Sequence, residues 1–91
     1  MTYKIERFSE GNTVVLRVSG RIRAEYLSTI KEMIERETGR VALDLTEVML
    51  VDRDAVPFLA AHELKGIELT NCPAFLREWI DKEKLGEGEV L

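Results

Sequence analysis

Residues 41–45 of this chain read VALDL, a short and nearly all apolar run bounded by Gly39 on one side and by Thr46 and Glu47 on the other. A run of that kind is a strand buried on both faces, which places it in the middle of a sheet and parallel to a neighbour. Parallel strands need crossover connections, usually helices. The rest of the chain is constrained to supply them.

It does so by changing its apolar period. Residues 3–8 (YKIERF) alternate imperfectly, and residues 13–18 (TVVLRV) are β-branched and apolar. With SEGN between them they predict a hairpin, Gly11 and Asn12 being able to take positive φ. From Ala24 the apolar residues Leu27, Ile30, Met33 and Ile34 recur at three- and four-residue steps, which predicts an amphipathic helix. Gly39 stands where a left-handed residue closes such a helix. A second helix is expected over residues 55–65 with Gly66 as its stop, then a minimal strand at 67–70 (IELT). Pro73 opens a third helix whose apolar face is Phe75, Leu76, Trp79 and Ile80, expected to be core. The order is β-β-α-β-α-β-α. It predicts an α/β domain over residues 1–85 with a mixed, mostly parallel sheet of about four strands. Residues 86–91 are expected to form a flexible C-terminal tail.

Length and charge narrow the function classes. Ninety-one residues make one domain with little room for a deep active site. The net charge is −4 and the basic residues are interleaved with Glu, which argues against nucleic acid and against anionic membrane surfaces. No apolar run reaches the roughly 20 residues of a membrane span, and the start has no signal-peptide pattern. A lone cysteine, Cys72, fits a reduced, cytoplasmic setting.

The segment VMLVDRDAVPFL places Asp52, Arg53 and Asp54 where an apolar run hands over to the second helix. Pro57 sets the helix start. With Asp54 as N-cap, Pro57 is third, among the N–H groups that have no helical partner. The Asp54 carboxylate is then expected to accept from the Val56 N–H, at the positive end of the helix dipole. With Val56 and Leu59 on the buried side, Phe58 is expected to point outward beside the cap, as an apolar anchor.

The succession VVLRVSGRI, an amphipathic helix, GRVALDLTEVMLVDRDAVPFL, and a short strand plus helix resembles the STAS domain, the family of the anti-sigma factor antagonists. Asp44 and Leu45 match the family's strand motif, Val48 its following valine, and Asp52 its loop aspartate. The resemblance implies a bacterial regulatory module in signal transduction by partner switching. A helix-capping serine in such antagonists is phosphorylated by an anti-sigma kinase. Here Arg53 stands for the first serine of that loop, Asp54 for the phosphorylated serine and Ala55 for the glycine. Gly20 is followed by Arg21, Ile22 and Arg23 rather than by an acidic pair. Asp54 has no hydroxyl to phosphorylate. Its fixed charge either mimics the phosphorylated state in part or contacts a basic partner.

The resemblance thus implies a partner surface made of Asp52, Arg53, Asp54, Ala55 and Phe58, with Gly20, Arg21 and Arg23 from the adjoining loop. It implies a protein partner such as an anti-sigma factor or kinase, no enzyme activity and no cofactor. The alternative is a STAS-like scaffold or small-ligand-binding module without partner switching. Other chemistries lack pieces. His62 is the only histidine, and AAHELKG has glycine where a zinc-protease helix needs a second one. Cys72 with His62 is a nucleophile–base pair only if the fold brings them together. A phospho-acceptor Asp44 or Asp52 lacks the acid cluster that a hard cation requires. There is no phosphate-binding G-x-x-x-x-G-K-[ST] loop.

Overall fold

The computed structural model describes residues 3–86. The tail expected from Gly86 lies, beyond that glycine, outside the described residues. Strands β1 (Lys4–Glu10) and β2 (Thr13–Ile22) form the hairpin, in register from Lys4 opposite Ser19 to Glu10 opposite Thr13. Gly11 takes the left-handed turn with φ +60°. Strand β3 (Arg40–Asp44) lies parallel to β2, with Leu16 opposite Leu43. Strand β5 (Glu68–Thr70) lies parallel to β3 on its other edge. Residues 41–45 are all buried, as the sequence implies for a central strand.

A fifth strand, β4 (Val48–Val51), extends the expected order. It follows β3 after one turn and pairs in parallel with the far end of β2. Gly20 is opposite Val48 and Arg21 opposite Leu50, so Met49 is an extra residue, and Gly20 takes φ +89° at the irregularity.

The helices supply one wall of the core. After a 3₁₀ turn (Ala24–Tyr26), α1 (Leu27–Glu35) buries Ile30 and Ile34. Helix α2 (Ala55–Leu64) buries Ala55, Val56, Leu59 and Ala60, and α3 (Ala74–Lys84) buries Leu76 and Ile80. They cluster with Leu16, Val18, Leu43 and Leu45 from one face of the sheet. Alternate residues point the other way: Val15, Arg17, Ala42, Asp44 and Thr70 line a shallow polar groove. No helix among the described residues is long and apolar enough to cross a membrane.

Two expectations are corrected. Gly39 is not left-handed: α1 stops at Glu35 with Arg36 as its C-cap, and residues 37–39 lead on to β3. The stop at Gly66, by contrast, does take a left-handed φ of +106°. Nor is the whole apolar stripe of α3 core. Leu76 and Ile80 are fully buried, but Phe75 is 43% and Trp79 49% exposed.

Candidate functional site

The segment after β4 turns sharply before α2 begins. The Ala55 N–H donates to the Asp52 carbonyl at 2.9 Å and the Val56 N–H to the Arg53 carbonyl at 3.2 Å. The donor expected to meet the Asp54 carboxylate is therefore already taken. Asp54 is the N-cap residue by position, but with φ −66° and ψ −18° its backbone is helical, and its side chain makes no capping bond. A side-chain cap needs the extended backbone that this turn forbids. The Asp54 carboxylate is exposed at the head of α2 instead, and it has no hydrogen-bond or ion-pair partner among the described residues. Pro57 is the third residue of the helix, where its missing N–H costs no bond.

Asp52 does the positioning. Its N–H donates to the Ile22 carbonyl at 2.8 Å, continuing the β2–β4 ladder past the last strand residue. Its carboxylate accepts from Arg21 Nε at 2.9 Å and from the Ala24 N–H at 3.0 Å. Those bonds, the Ala24 N–H first and then the Arg21 guanidinium, hold the carboxyl below its usual range. The loop after β2 and the loop after β4 are thus tied together through one side chain. Of the expected site residues, Gly20, Arg21, Arg23, Asp52, Arg53 and Asp54 gather at this end of the sheet. Arg23 Nε lies 3.4 Å from Glu25, and Arg53 is exposed without a charge partner among the described residues.

Two expected contact residues are placed differently. Ala55 is fully buried, so its side chain packs α2 onto the core rather than meeting a partner. Phe58 does not project outward: it is half-buried, packed against the core, with its ring 4.3 Å from that of His62. His62 Nδ1 lies 2.9 Å from the Phe58 carbonyl, one turn back on its own helix. That is an intrahelical contact, and no cluster of metal-ligating side chains occurs among the described residues.

A second polar centre lies at the end of β3. Asp44 is only 6% exposed. Burial alone would push its carboxyl up. Bonds from Thr46 N–H (3.0 Å), Thr46 Oγ1 (2.6 Å), Asn71 Nδ2 (3.3 Å) and Arg17 Nε (3.1 Å) outweigh that and hold it at about 2. The sequence marks Asp44 only as part of a strand motif, because Arg17 and Asn71 each lie 27 residues away. All four bonds go to protein groups, which makes Asp44 a structural pin for the β3–β4 turn.

No family model matches the chain, and no curated protein matches its sequence. Among solved structures it is similar to the anti-sigma factor antagonist SpoIIAA in its unphosphorylated form. The match covers 99% of this chain and 100% of that one, with a TM-score of 0.63 and 13% sequence identity. The described residues form five strands in one mostly parallel sheet and three helices, and with the full-length match these give this chain the fold of that antagonist, the STAS fold.

Proposed function

We propose that the chain is a non-catalytic regulatory module that docks a protein partner of the anti-sigma factor or kinase class. The docking surface is Asp52, Arg53 and Asp54 together with the 20–24 loop. The observation that carries this reading is the unbonded, exposed carboxylate of Asp54 at the head of α2, on a loop that Asp52 locks in place. An acid whose neighbours already satisfy one another contributes little to the fold and is free to meet a partner. The similarity to SpoIIAA, an anti-sigma factor antagonist, supports the partner class.

Asp54 stands where the related antagonists carry a phosphorylatable serine, so its charge is permanent. A carboxylate has less charge than a phosphate, about −1 against −1.5 to −2. The module is therefore held in one binding state rather than switched, and it works in the cytoplasm without a cofactor. The test is calorimetry of the protein with the anti-sigma kinases of its own organism. Native protein binds one of them, and Asp54→Lys loses the binding while its unfolding midpoint stays in place. Absence of binding by both the native protein and Asp54→Ser overturns the reading.

A further inference from the structure

Trp79 is the single tryptophan of the chain, and half of it is in water. Helix α3 is already anchored by Leu76 and Ile80, so exposure of the neighbouring Phe75 and Trp79 adds nothing to the core. The two rings stand edge to face, 6.3 Å between centroids at 84°. Trp79 walls a groove of about 590 Å³ between the head of α2 and the second half of α3. Val56 and Pro57 line it on the α2 side, and Arg53, Asp54, Lys82 and Glu83 complete the lining. A tryptophan beside an apolar floor with a charged rim is the composition of a binding hot spot.

The charges on that rim select the occupant. Lys82 lies 3.8 Å from Glu78, and Asp81 and Glu63 are neutralised by Arg77 and Lys84. With Glu78 beside Lys82, the acids Asp54, Glu78 and Glu83 outnumber the bases Arg53 and Lys82 by one, and Asp54 and Glu83 have no cationic partner among the described residues. The surplus is negative, and the whole chain carries −4, which sets two copies in mutual repulsion. We infer that the groove receives a segment of a partner protein in which a large apolar side chain is flanked by Lys or Arg. The apolar group seats on Trp79, Val56 and Pro57, and its basic neighbours meet Asp54 and Glu83. This rests on the docking role proposed above and extends that surface from α2 onto α3.

The lone indole reports on its own groove. The probes are a helical peptide of Leu and Lys and its counterpart with Glu in place of Lys. The Leu/Lys peptide shifts Trp79 emission to the blue with saturation, and added salt weakens the effect; the Leu/Glu peptide leaves emission unchanged. Asp54→Lys with Glu83→Lys weakens the peptide at least about tenfold, as expected for two lost charge contacts. Equal responses to both peptides, no response, or a blue shift on raising protein concentration alone overturn the inference, the last in favour of a second copy. The two proposals separate cleanly. If a kinase binds the Asp54 surface and Trp79→Ala leaves its affinity unchanged, the groove assignment falls and the module stands. If no kinase binds but the basic peptide still moves Trp79 emission in the charge-dependent way, the partner class falls and the groove stands.

Discussion

Arg21 and Asp52 are 31 residues apart in sequence, yet Arg21 Nη2 lies 2.8 Å from Asp52 Oδ1. This pair, with the Ala24 N–H on the other carboxylate oxygen, decides where the 20–24 loop sits relative to the head of α2. Each oxygen of Asp52 serves a different donor. An amide at this position can satisfy only one of them, because its nitrogen is itself a donor.

Asp52→Asn is therefore expected to free the Ala24 amide while leaving the sheet intact. Hydrogen exchange at Ala24 speeds up by about tenfold or more, and the amides of Leu16 and Leu43 keep their protection. Unchanged exchange at Ala24 would remove Asp52 as the tie between the loops.

Asp44 gives the fold an acid dependence of known sign. Its carboxyl sits at about 2 in the folded chain, below the ordinary 3.8. A depressed carboxylate contributes stability that is fully present above the unfolded value and is lost as pH falls through the folded one. The loss therefore runs from about pH 4 down to about pH 2. Glu63, held at about 2 chiefly by Arg77 and then by Lys84, adds a second contribution in the same window. Asp44→Asn should lower stability at pH 7 by about 1–3 kcal/mol and flatten, without abolishing, the slope between pH 4 and 2. Urea midpoints measured across that range read both effects, and an unchanged slope would contradict the assignment.

Gly66 ends α2 with φ +106°, a backbone that side chains avoid, although nothing lies within 4 Å of where a Cβ would stand. The strain is thus conformational and not steric crowding with neighbours. Gly66→Ala is expected to cost about 1–3 kcal/mol in unfolding free energy. A denaturant midpoint equal to that of the native protein would show that the turn relaxes.

The elements legible in the sequence are those whose pattern is local. The run at 41–45 is nearly all apolar because Val41, Leu43 and Leu45 face the core while Ala42, on the groove side, is small enough for its neighbours to screen, and Ile30 and Ile34 keep helical spacing because one face of α1 is covered. β4 leaves little local pattern. It is four residues long, Met49 is extra to the ladder, and Met49 and Leu50 are 65% and 53% exposed, so no alternation survives. The missing cap bond at Asp54 depends on a backbone angle that residue identity does not determine. Phe75, Leu76, Trp79 and Ile80 have the same spacing whether two of them are covered or four, since coverage depends on what packs over them. The candidate site at 52–54 is marked in the sequence by its resemblance to a family loop. The groove at Trp79 carries no such mark, because α2 and α3 meet there only in the folded chain.

Strand β2 carries the chronology of the molecule. It finds β1 across a tight turn but must find β3 across an interval of 27 residues, Thr13 meeting Arg40. Closing the near pair is a matter of microseconds, whereas distant pairing waits on loop closure and on α1. The pairing of β4 with β2 is distant too, Gly20 meeting Val48, and it is this pairing that brings Asp52 to Arg21. A chain that holds only the β1–β2 hairpin therefore lacks the Arg21–Asp52 tie and, with it, the surface proposed above for docking.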